Sequence, residues 1–141
     1  MERRKMLASL VALVVLLCPF FITQADAADK VVKIGNIEPL SGPSAAVGQQ
    51  GKFARDMAVE EINAAGGILG KKIELFIGDT EGKPEKGITA LKKLVMEDKV
   101  DVLVGEYSSG VSLAMQPFLP NYKIVFVTTG CASLALTDNV K

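Results

Sequence analysis

The fold of this chain is decided by the stretch VDVLVGEYSSGVSLAM, which runs from Val100 to Met115. Its first five residues, Val100–Val104, form a mainly apolar run that is typical of a buried strand in a parallel sheet. Gly105 ends this strand, and apolar side chains then recur at helical spacing from Val111 to Phe118. Ser109 stands at the predicted N-cap of the helix. The stretch therefore predicts a strand, a tight turn and a helix.

The serine pair in this turn has two interpretations. Ser108 and Ser109 can simply cap the helix, which is the usual role of serine at such a position. They can also bind a ligand, because the first N–H groups of a helix have no partner within it and carry a partial positive charge that can hold a carboxylate. The rest of the chain bears on the choice between them.

Strand and helix patterns alternate along the chain. The predicted strands are Val31–Leu40, Lys72–Gly78, Val100–Val104 and Lys123–Thr128, and the predicted helices are Gly48–Ala65, one beginning at Pro84, and Val111–Leu119. This alternation predicts an α/β fold, a doubly wound parallel sheet with helices on both faces. Pro117 predicts a kink or an early end of the third helix near Gln116.

The first predicted helix carries an apolar face. Its members are Phe53, Met57, Ala58, Ile62 and Ala65. Such a stripe indicates the side of a helix that packs on the core.

In such sheets, ligands bind beyond the carboxyl ends of the strands. The four segments at these ends are 40–48, 79–83, 105–110 and 128–134. Three of them are rich in serine, threonine, glycine and alanine, which suits recognition of a small polar molecule by hydroxyl and backbone groups. We therefore expect the binding site at this edge of the sheet.

The N-terminal residues resemble an export signal. A positively charged start is followed by an apolar run from Leu7 to Ile22 and by the small residues Ala25 and Ala27. The alternative is a membrane anchor, but the run is about 16 residues, short of the roughly 20 that span a bilayer. We predict a signal peptide at 1–27, cleavage after Ala27, and no stable membrane insertion afterwards.

Composition excludes several classes of partner. The chain has 16 basic and 16 acidic residues, and the leader removes three of the basic and two of the acidic ones. A nearly neutral exported protein is not expected to bind nucleic acid or an anionic membrane. Cys131 is the only cysteine after the leader, so no intrachain disulfide is possible in this segment.

Motifs for catalysis and cofactor binding fail on spacing or on missing partners. Gly66–Lys72 resembles a phosphate loop but has the wrong glycine spacing and follows a helix. Asp79 and Glu81 could ligate a metal, but two loop carboxylates are more often solvated. Glu106 is expected to face solvent or an ion-pair partner. Cys131 lies where a nucleophile could, yet the chain has no histidine to activate it. No cofactor and no metal are expected.

Several spaced motifs resemble a known family. The segments KIGNIEPLSGPSAAVGQQGKFARDMAVEEINAAGGILGKKIELFIGDTEGKP, VLVGEYSSGVSLAMQPF and IVFVTTGCASLALT are similar to the start of the periplasmic binding proteins that serve branched-chain amino acid ABC transporters. The resemblance implies a two-lobed, type I periplasmic-binding fold whose lobes close over a ligand by a hinge. Residues 28–141 would then form an incomplete N-terminal lobe.

The resemblance also implies a ligand-binding site for an amino acid. Its carboxylate and ammonium groups would be held by the hydroxyl and N–H of Ser109 and by backbone groups of Ser108 and Tyr107. The loop after the fourth strand, 130–132, would supply the backbone carbonyl of Gly130, and Cys131 belongs to the same loop.

Two positions of that site depart from the family. Ala132 stands where amino acid binders have a threonine hydroxyl, and Val47 stands where an aromatic residue often closes over the ligand. Ser133 or Thr129 can substitute for the missing hydroxyl. Some relatives bind amides, urea or aromatic acids instead. A disulfide found in some members would need cysteines near Gly82 and Ser108, and this chain has none there.

Three functional hypotheses follow. The first is a periplasmic receptor, not an enzyme, that captures a small carboxylate-bearing molecule and delivers it to an ABC transporter permease. The second is a sensory module of the same fold. The third is an exported α/β enzyme, which would need histidine or paired carboxylates at the strand ends.

Overall fold

A computed structural model of the protein describes residues 31–138, so the predicted leader lies outside the described residues. The elements are, in order, β1 (Val31–Glu38), α1 (Ala45–Ala64), β2 (Lys72–Asp79), α2 (Pro84–Lys92), a π-helical turn (Lys93–Glu97), β3 (Val102–Gly105), α3 (Ser109–Met115), a 3₁₀ turn (Gln116–Phe118), α4 (Leu119–Tyr122), β4 (Val125–Thr128) and α5 (Ala135–Asp138).

The four strands form one parallel sheet in the order β2-β1-β3-β4. β1 lies in the middle, and its residue Ile37 is level with Gly78 of β2 and with Gly105 of β3. Along the chain, β2 is therefore added on one side of β1, and β3 and β4 are then added on its other side. The direction of winding reverses beside β1, which confirms the predicted doubly wound sheet.

Side-chain alternation separates the two faces of the sheet. Ile37 and Leu103 belong to a fully buried core together with residues of α2 and α3. Ile34 and Val104 lie on the opposite face of the same strands, because each is an odd number of positions from Ile37 or Leu103. They line a groove against α1. Helices thus cover both faces, and the buried core lies between the sheet and the α2–α3 pair. Its fully buried members are Ile37, Leu91, Leu94, Leu103, Val111 and Met115.

Helix α1 begins at Ala45, three residues before the predicted start. Gly48, the first residue of the predicted helix, lies inside the helix and is buried against the preceding loop. A Cβ atom at Gly48 would lie 2.3 Å from the carbonyl oxygen of Pro39. The glycine is therefore required for a close helix–loop contact rather than for a helix start.

The central stretch differs from the prediction at both ends. β3 begins at Val102 rather than Val100, because the Val100 N–H donates to the carbonyl of Leu94 and closes the preceding helical segment. α3 ends at Met115 and continues as a 3₁₀ turn that contains Pro117. The predicted early end near this proline is confirmed.

The apolar stripe of α1 is only partly covered. Phe53 is 67% exposed and Met57 49% exposed, and across the same side of the sheet Val125 and Val127 are exposed as well. The expectation that Phe53 and Met57 are core residues is therefore wrong for the residues described. Among the helices of residues 31–138, none is long and apolar enough to cross a membrane.

Candidate functional site

The carboxyl ends of β1, β3 and β4 meet at one edge of the sheet. The Glu106 N–H donates to the carbonyl of Ile37 over 2.6 Å, and the Thr129 N–H donates to the carbonyl of Gly105 over 3.1 Å. These two bonds continue the sheet into its loops. The turn 106–108 and the loop 129–134 therefore lie side by side.

Ser109 joins the turn to the loop. Its Oγ atom accepts hydrogen bonds from the N–H of Ala132 over 3.2 Å and from the N–H of Ser133 over 3.3 Å. Tyr107 packs against Gly130 so closely that a Cβ atom there would lie 2.9 Å from the Tyr107 ring. Predicted site residues from two separate segments are thus in direct contact.

The predicted N-cap is wrong by one residue. Ser108, not Ser109, precedes the helix, and its Oγ accepts from the N–H of Val111 over 3.5 Å. Ser109 is the first residue of α3, a helix of seven residues. Its hydroxyl is therefore released from capping and bonds the neighbouring loop instead.

A pocket of about 490 Å³ opens beside this contact. Three of the predicted site residues, Val47, Tyr107 and Gly130, line it. The other four, Ser108, Ser109, Cys131 and Ala132, are not in its wall and lie in the adjoining turn and loop. The remaining lining residues are Glu38, Gln50, Gly51, Ala54, Arg55, Ala58 and Thr129.

Sequence reasoning missed the charged part of this wall. Glu38 ends β1, and Arg55 lies on α1 and forms an ion pair with it. The position of Glu38 at the carboxyl end of β1 was a usable signal, because ligands bind beyond that edge of a parallel sheet. No comparable signal identified Arg55, because a basic residue on a helix is usually solvated.

Glu106 is a buried structural residue, and the prediction that it faces solvent or an ion-pair partner is wrong. It is 0% exposed, and its Oε1 atom accepts from the N–H of Ser108 over 2.7 Å and from that of Tyr107 over 3.0 Å. These two N–H groups are therefore occupied within the protein. Burial raises the pKa of the Glu106 carboxyl, although the backbone hydrogen bonds act in the opposite direction.

Glu106→Gln should reduce the pH dependence of stability. Because its folded-state pKa is raised, Glu106 holds its proton more tightly in the folded protein than in the unfolded chain. Its contribution to stability is therefore greatest below the ordinary pKa of 4.5 and is lost as the pH rises from 4.5 through the folded-state pKa. Glutamine keeps a carbonyl for the two N–H groups and does not ionise. Urea denaturation from about pH 4.5 to about pH 7 should show a smaller loss of unfolding free energy for the variant.

A Glu97→Gln variant is the control, because Glu97 is exposed. It should follow the wild-type curve. If the unfolding free energy changes equally with pH in the wild type and in Glu106→Gln, the prediction is contradicted.

The environment of the Cys131 thiol does not favour nucleophilic attack by it. Its Sγ atom lies 3.0 Å from the Ser112 Oγ and 3.5 Å from the carbonyl oxygen of Glu106. Burial raises the pKa of this thiol, and the nearby Glu106 raises it further. Reactive cysteines need a lowered pKa, so the thiol acts as a packing and hydrogen-bonding group.

Asp79 organises the first loop. Its carboxylate accepts from the N–H groups of Leu40 and Glu81 over 2.9 Å and from the Ser41 hydroxyl over 2.7 Å. Burial alone would raise the pKa of Asp79, but these hydrogen bonds outweigh it and the pKa is lowered. Within residues 31–138, no group of three or more metal-ligating side chains converges here or elsewhere.

Comparison with known proteins identifies the family. Residues 31–140 match the family of periplasmic binding proteins. The chain is 40% identical over 106 residues to the Leu/Ile/Val-binding protein BraC3 of Rhizobium johnstonii, with 75% of this chain and 29% of that protein covered.

Solved structures agree with the sequence match. The branched-chain amino acid transporter substrate-binding protein LivJ of Streptococcus pneumoniae, in complex with isoleucine, superposes with a TM-score of 0.74 at 31% identity. The match covers 77% of this chain and 31% of that structure. A solute-binding protein from Rhodopseudomonas palustris in complex with 4-hydroxybenzoate gives a TM-score of 0.68 at 25% identity, with 77% of this chain and 29% of that chain covered.

The chain spans less than a third of the length of these relatives. The matched part is the α/β unit with the parallel sheet and the two helical layers described above. The fold and the resemblance predicted from the sequence are confirmed, and the chain belongs to the periplasmic binding protein family.

Proposed function

We propose that the protein is a periplasmic solute receptor that captures an amino acid and delivers it to the permease of an ABC transporter. Of the relatives compared above, one is named for leucine, isoleucine and valine, one was solved with isoleucine and one with 4-hydroxybenzoate. These ligands share a carboxylate on a small, partly apolar body. The predicted leader at 1–27 supports export to the periplasm.

The observation that carries the proposal is the junction between Ser109 and the loop after β4. The Ser109 hydroxyl accepts two backbone N–H groups and keeps its own proton to donate. The N–H groups of Ser109 and Gly110 open α3 and have no partner within the helix. In this proposal, these donors bind the ligand's carboxylate.

The ammonium group requires acceptors rather than donors. Because Glu106 occupies the N–H groups of Tyr107 and Ser108, only the carbonyl side of this turn remains for a ligand. The carbonyl of Gly130, on the loop packed against Tyr107, supplies a second acceptor. Acceptors and donors then lie on either side of Tyr107, which suits a zwitterion.

The two departures from the family have structural consequences. Ala132 contributes its N–H to Ser109 but has no hydroxyl for a ligand. Thr129 lines the pocket and can supply a hydroxyl in its place. Val47 is 42% exposed at the pocket rim and offers a smaller apolar surface than an aromatic ring. Because Val47 lies in the first turn of α1, the ligand is expected to make less apolar contact with that turn.

The mechanism is capture without bond-making. A small molecule held between donors and acceptors at one wall needs a second wall to exclude water, and hinge closure of two lobes provides it in proteins of this type. Delivery to a permease follows from release on reopening. No proton transfer or covalent step is required of any residue in the site.

A thermal-shift screen of the full-length protein against the common amino acids tests this function. A ligand at about 100 times its Kd should add about 2.7 kcal/mol of stability. Ser109→Ala should weaken binding of that ligand by about 1.5–3 kcal/mol, because a hydrogen bond to a charged group is lost. Isothermal titration calorimetry gives both affinities.

Ser44→Ala is the matched control, since Ser44 precedes α1 and makes no side-chain capping bond. It should bind as wild type does. If no amino acid raises the melting temperature, the proposed ligand class is wrong. If Ser109→Ala folds and binds with unchanged affinity, Ser109 is not in the site.

A further inference from the structure

An ion pair is built into the wall of the pocket. Glu38 is 3% exposed at the end of β1, and its Oε1 atom is in contact with the Nη2 atom of Arg55 on α1. The same Nη2 atom lies 3.5 Å from the Thr129 hydroxyl. All three residues line the pocket. The pair thus connects β1, α1 and the loop after β4.

Two glycines provide the space for this pair. A Cβ atom at Gly51 would lie 2.8 Å from the Arg55 Nη1 atom. A Cβ atom at Gly105 would lie 2.8 Å from Arg55 Nη2 and 3.0 Å from Glu38 Oε1. Any larger residue at either position would displace the charged groups. The pair is therefore held in a fitted recess and is not a chance surface contact.

The hydrogen-bonding capacity of the pair is not used up by the protein. A guanidinium group has five N–H donors, and the contacts to Glu38 and Thr129 both involve the Nη2 atom. The Nε atom of Arg55 is buried and has no hydrogen-bond partner among residues 31–138. Since Nε is buried, the donors that remain for a ligand are the N–H groups of Nη1, next to a carboxylate whose charge already balances the guanidinium.

Part of the pocket wall around the pair is apolar. Val47, Ala54 and Ala58 contribute the neighbouring pocket wall. Charged and hydrogen-bonding groups in such a setting discriminate strongly, because a ligand that removes water from them must replace its hydrogen bonds. An aliphatic side chain would bury the pair without compensation.

We propose that Glu38 and Arg55 select an amino acid whose side chain ends in a carboxamide. A carboxamide carbonyl accepts from the guanidinium, while its NH₂ group donates to the carboxylate. A ligand carboxylate would face the negative charge of Glu38, and an ammonium group would face the positive charge of Arg55. This inference rests on the proposed function, since it assigns the side-chain end of the same ligand.

Two shape-matched series of amino acids test the selection in the full-length protein. The first is asparagine, aspartate and leucine, and the second is glutamine, glutamate and methionine. In the series whose side-chain length fits the pocket, the amide should bind at least about tenfold more tightly than the acid and the apolar amino acid, as measured by titration calorimetry. Leucine or methionine binding as tightly as the amides would overturn the proposal.

Glu38→Gln provides the second test. It keeps the shape of the side chain and leaves Arg55 positively charged, so the affinity ratio of amide to acid should fall by about tenfold. Glu60→Gln makes the same substitution at an exposed position of α1 and should leave the ratio unchanged. An unchanged ratio in a folded Glu38→Gln variant would overturn the proposal.

The outcomes separate this inference from the proposed function. If no amino acid binds in the thermal-shift screen, the proposed function fails and this inference fails with it. If another amino acid binds and none of these six does, only this inference is overturned. If leucine binds most tightly and the others weakly, the receptor function stands and only the role of Glu38 and Arg55 is overturned. If Glu38→Gln does not fold, the wild-type series alone decide the question.

Discussion

Gly105→Ala is expected to lower the free energy of unfolding by about 3–5 kcal/mol, the sum of backbone strain and overpacking. Gly105 has φ of +118°, a conformation that residues with a Cβ atom rarely adopt. A Cβ atom there would lie 2.3 Å from the carbonyl oxygen of Ile37. That carbonyl belongs to the central strand and accepts from the Glu106 N–H, so it cannot move aside without breaking the sheet.

Gly70→Ala separates the two causes. Gly70 also has positive φ, +78°, but a Cβ atom there would meet nothing within 4 Å. Its substitution should cost only about 1–2 kcal/mol, the penalty of the left-handed conformation. Urea denaturation of both variants measures the difference. Equal losses of stability would mean that the contact with Ile37 contributes nothing.

The doubly wound sheet could be predicted because it is encoded locally. A short apolar run such as that in β3 is typical of a parallel strand, and it can be recognised without knowledge of distant residues. In β3, Leu103 and Gly105 are buried, whereas Val102 and Val104 are only partly buried. Boundaries were less accurate for tertiary reasons. Gly48 had the appearance of a helix boundary, yet it continues α1 because the loop at Pro39 packs directly on it.

The proximity of the predicted site residues could be inferred where loops follow strands, whereas the contribution of α1 to the pocket wall could not. Ser109 and Gly130 come directly after parallel strands, so the topology alone brings them to one edge. The cap was misplaced because Ser108 and Ser109 are chemically identical. The hydrogen bonds to Val111 and to the loop after β4 distinguish them, and neither is visible in sequence.

The burial of the Glu106 carboxyl was missed for a related reason. A glutamate after a strand is usually solvated, and its burial depends on the turn closing over it. Here the turn contains two positive φ angles in succession, at Gly105 and Glu106. This conformation folds the Glu106 side chain back under the N–H groups of Tyr107 and Ser108.

Arg55→Met should destabilise the protein by about 3–5 kcal/mol, because it leaves the buried Glu38 carboxylate without its partner. The Glu38 side chain is 4% exposed and that of Arg55 is 17% exposed, so solvent cannot readily replace the lost contact. Methionine preserves much of the apolar stem, so the effect reports on the charge. The free energy of unfolding in urea at about pH 7 is the measurement.

Two further variants distinguish a broken pair from a general defect of α1. Lys52→Met removes one partner of the Lys52–Asp56 pair on the same helix, whose side chains are 37% and 44% exposed, and should cost about 0–1 kcal/mol. Glu38→Met combined with Arg55→Met should recover most of the stability lost in the single variant, because no unpaired charge remains buried. A double variant that is less stable than Arg55→Met alone would show that the pair is required in its charged form, and not only as two groups that neutralise each other.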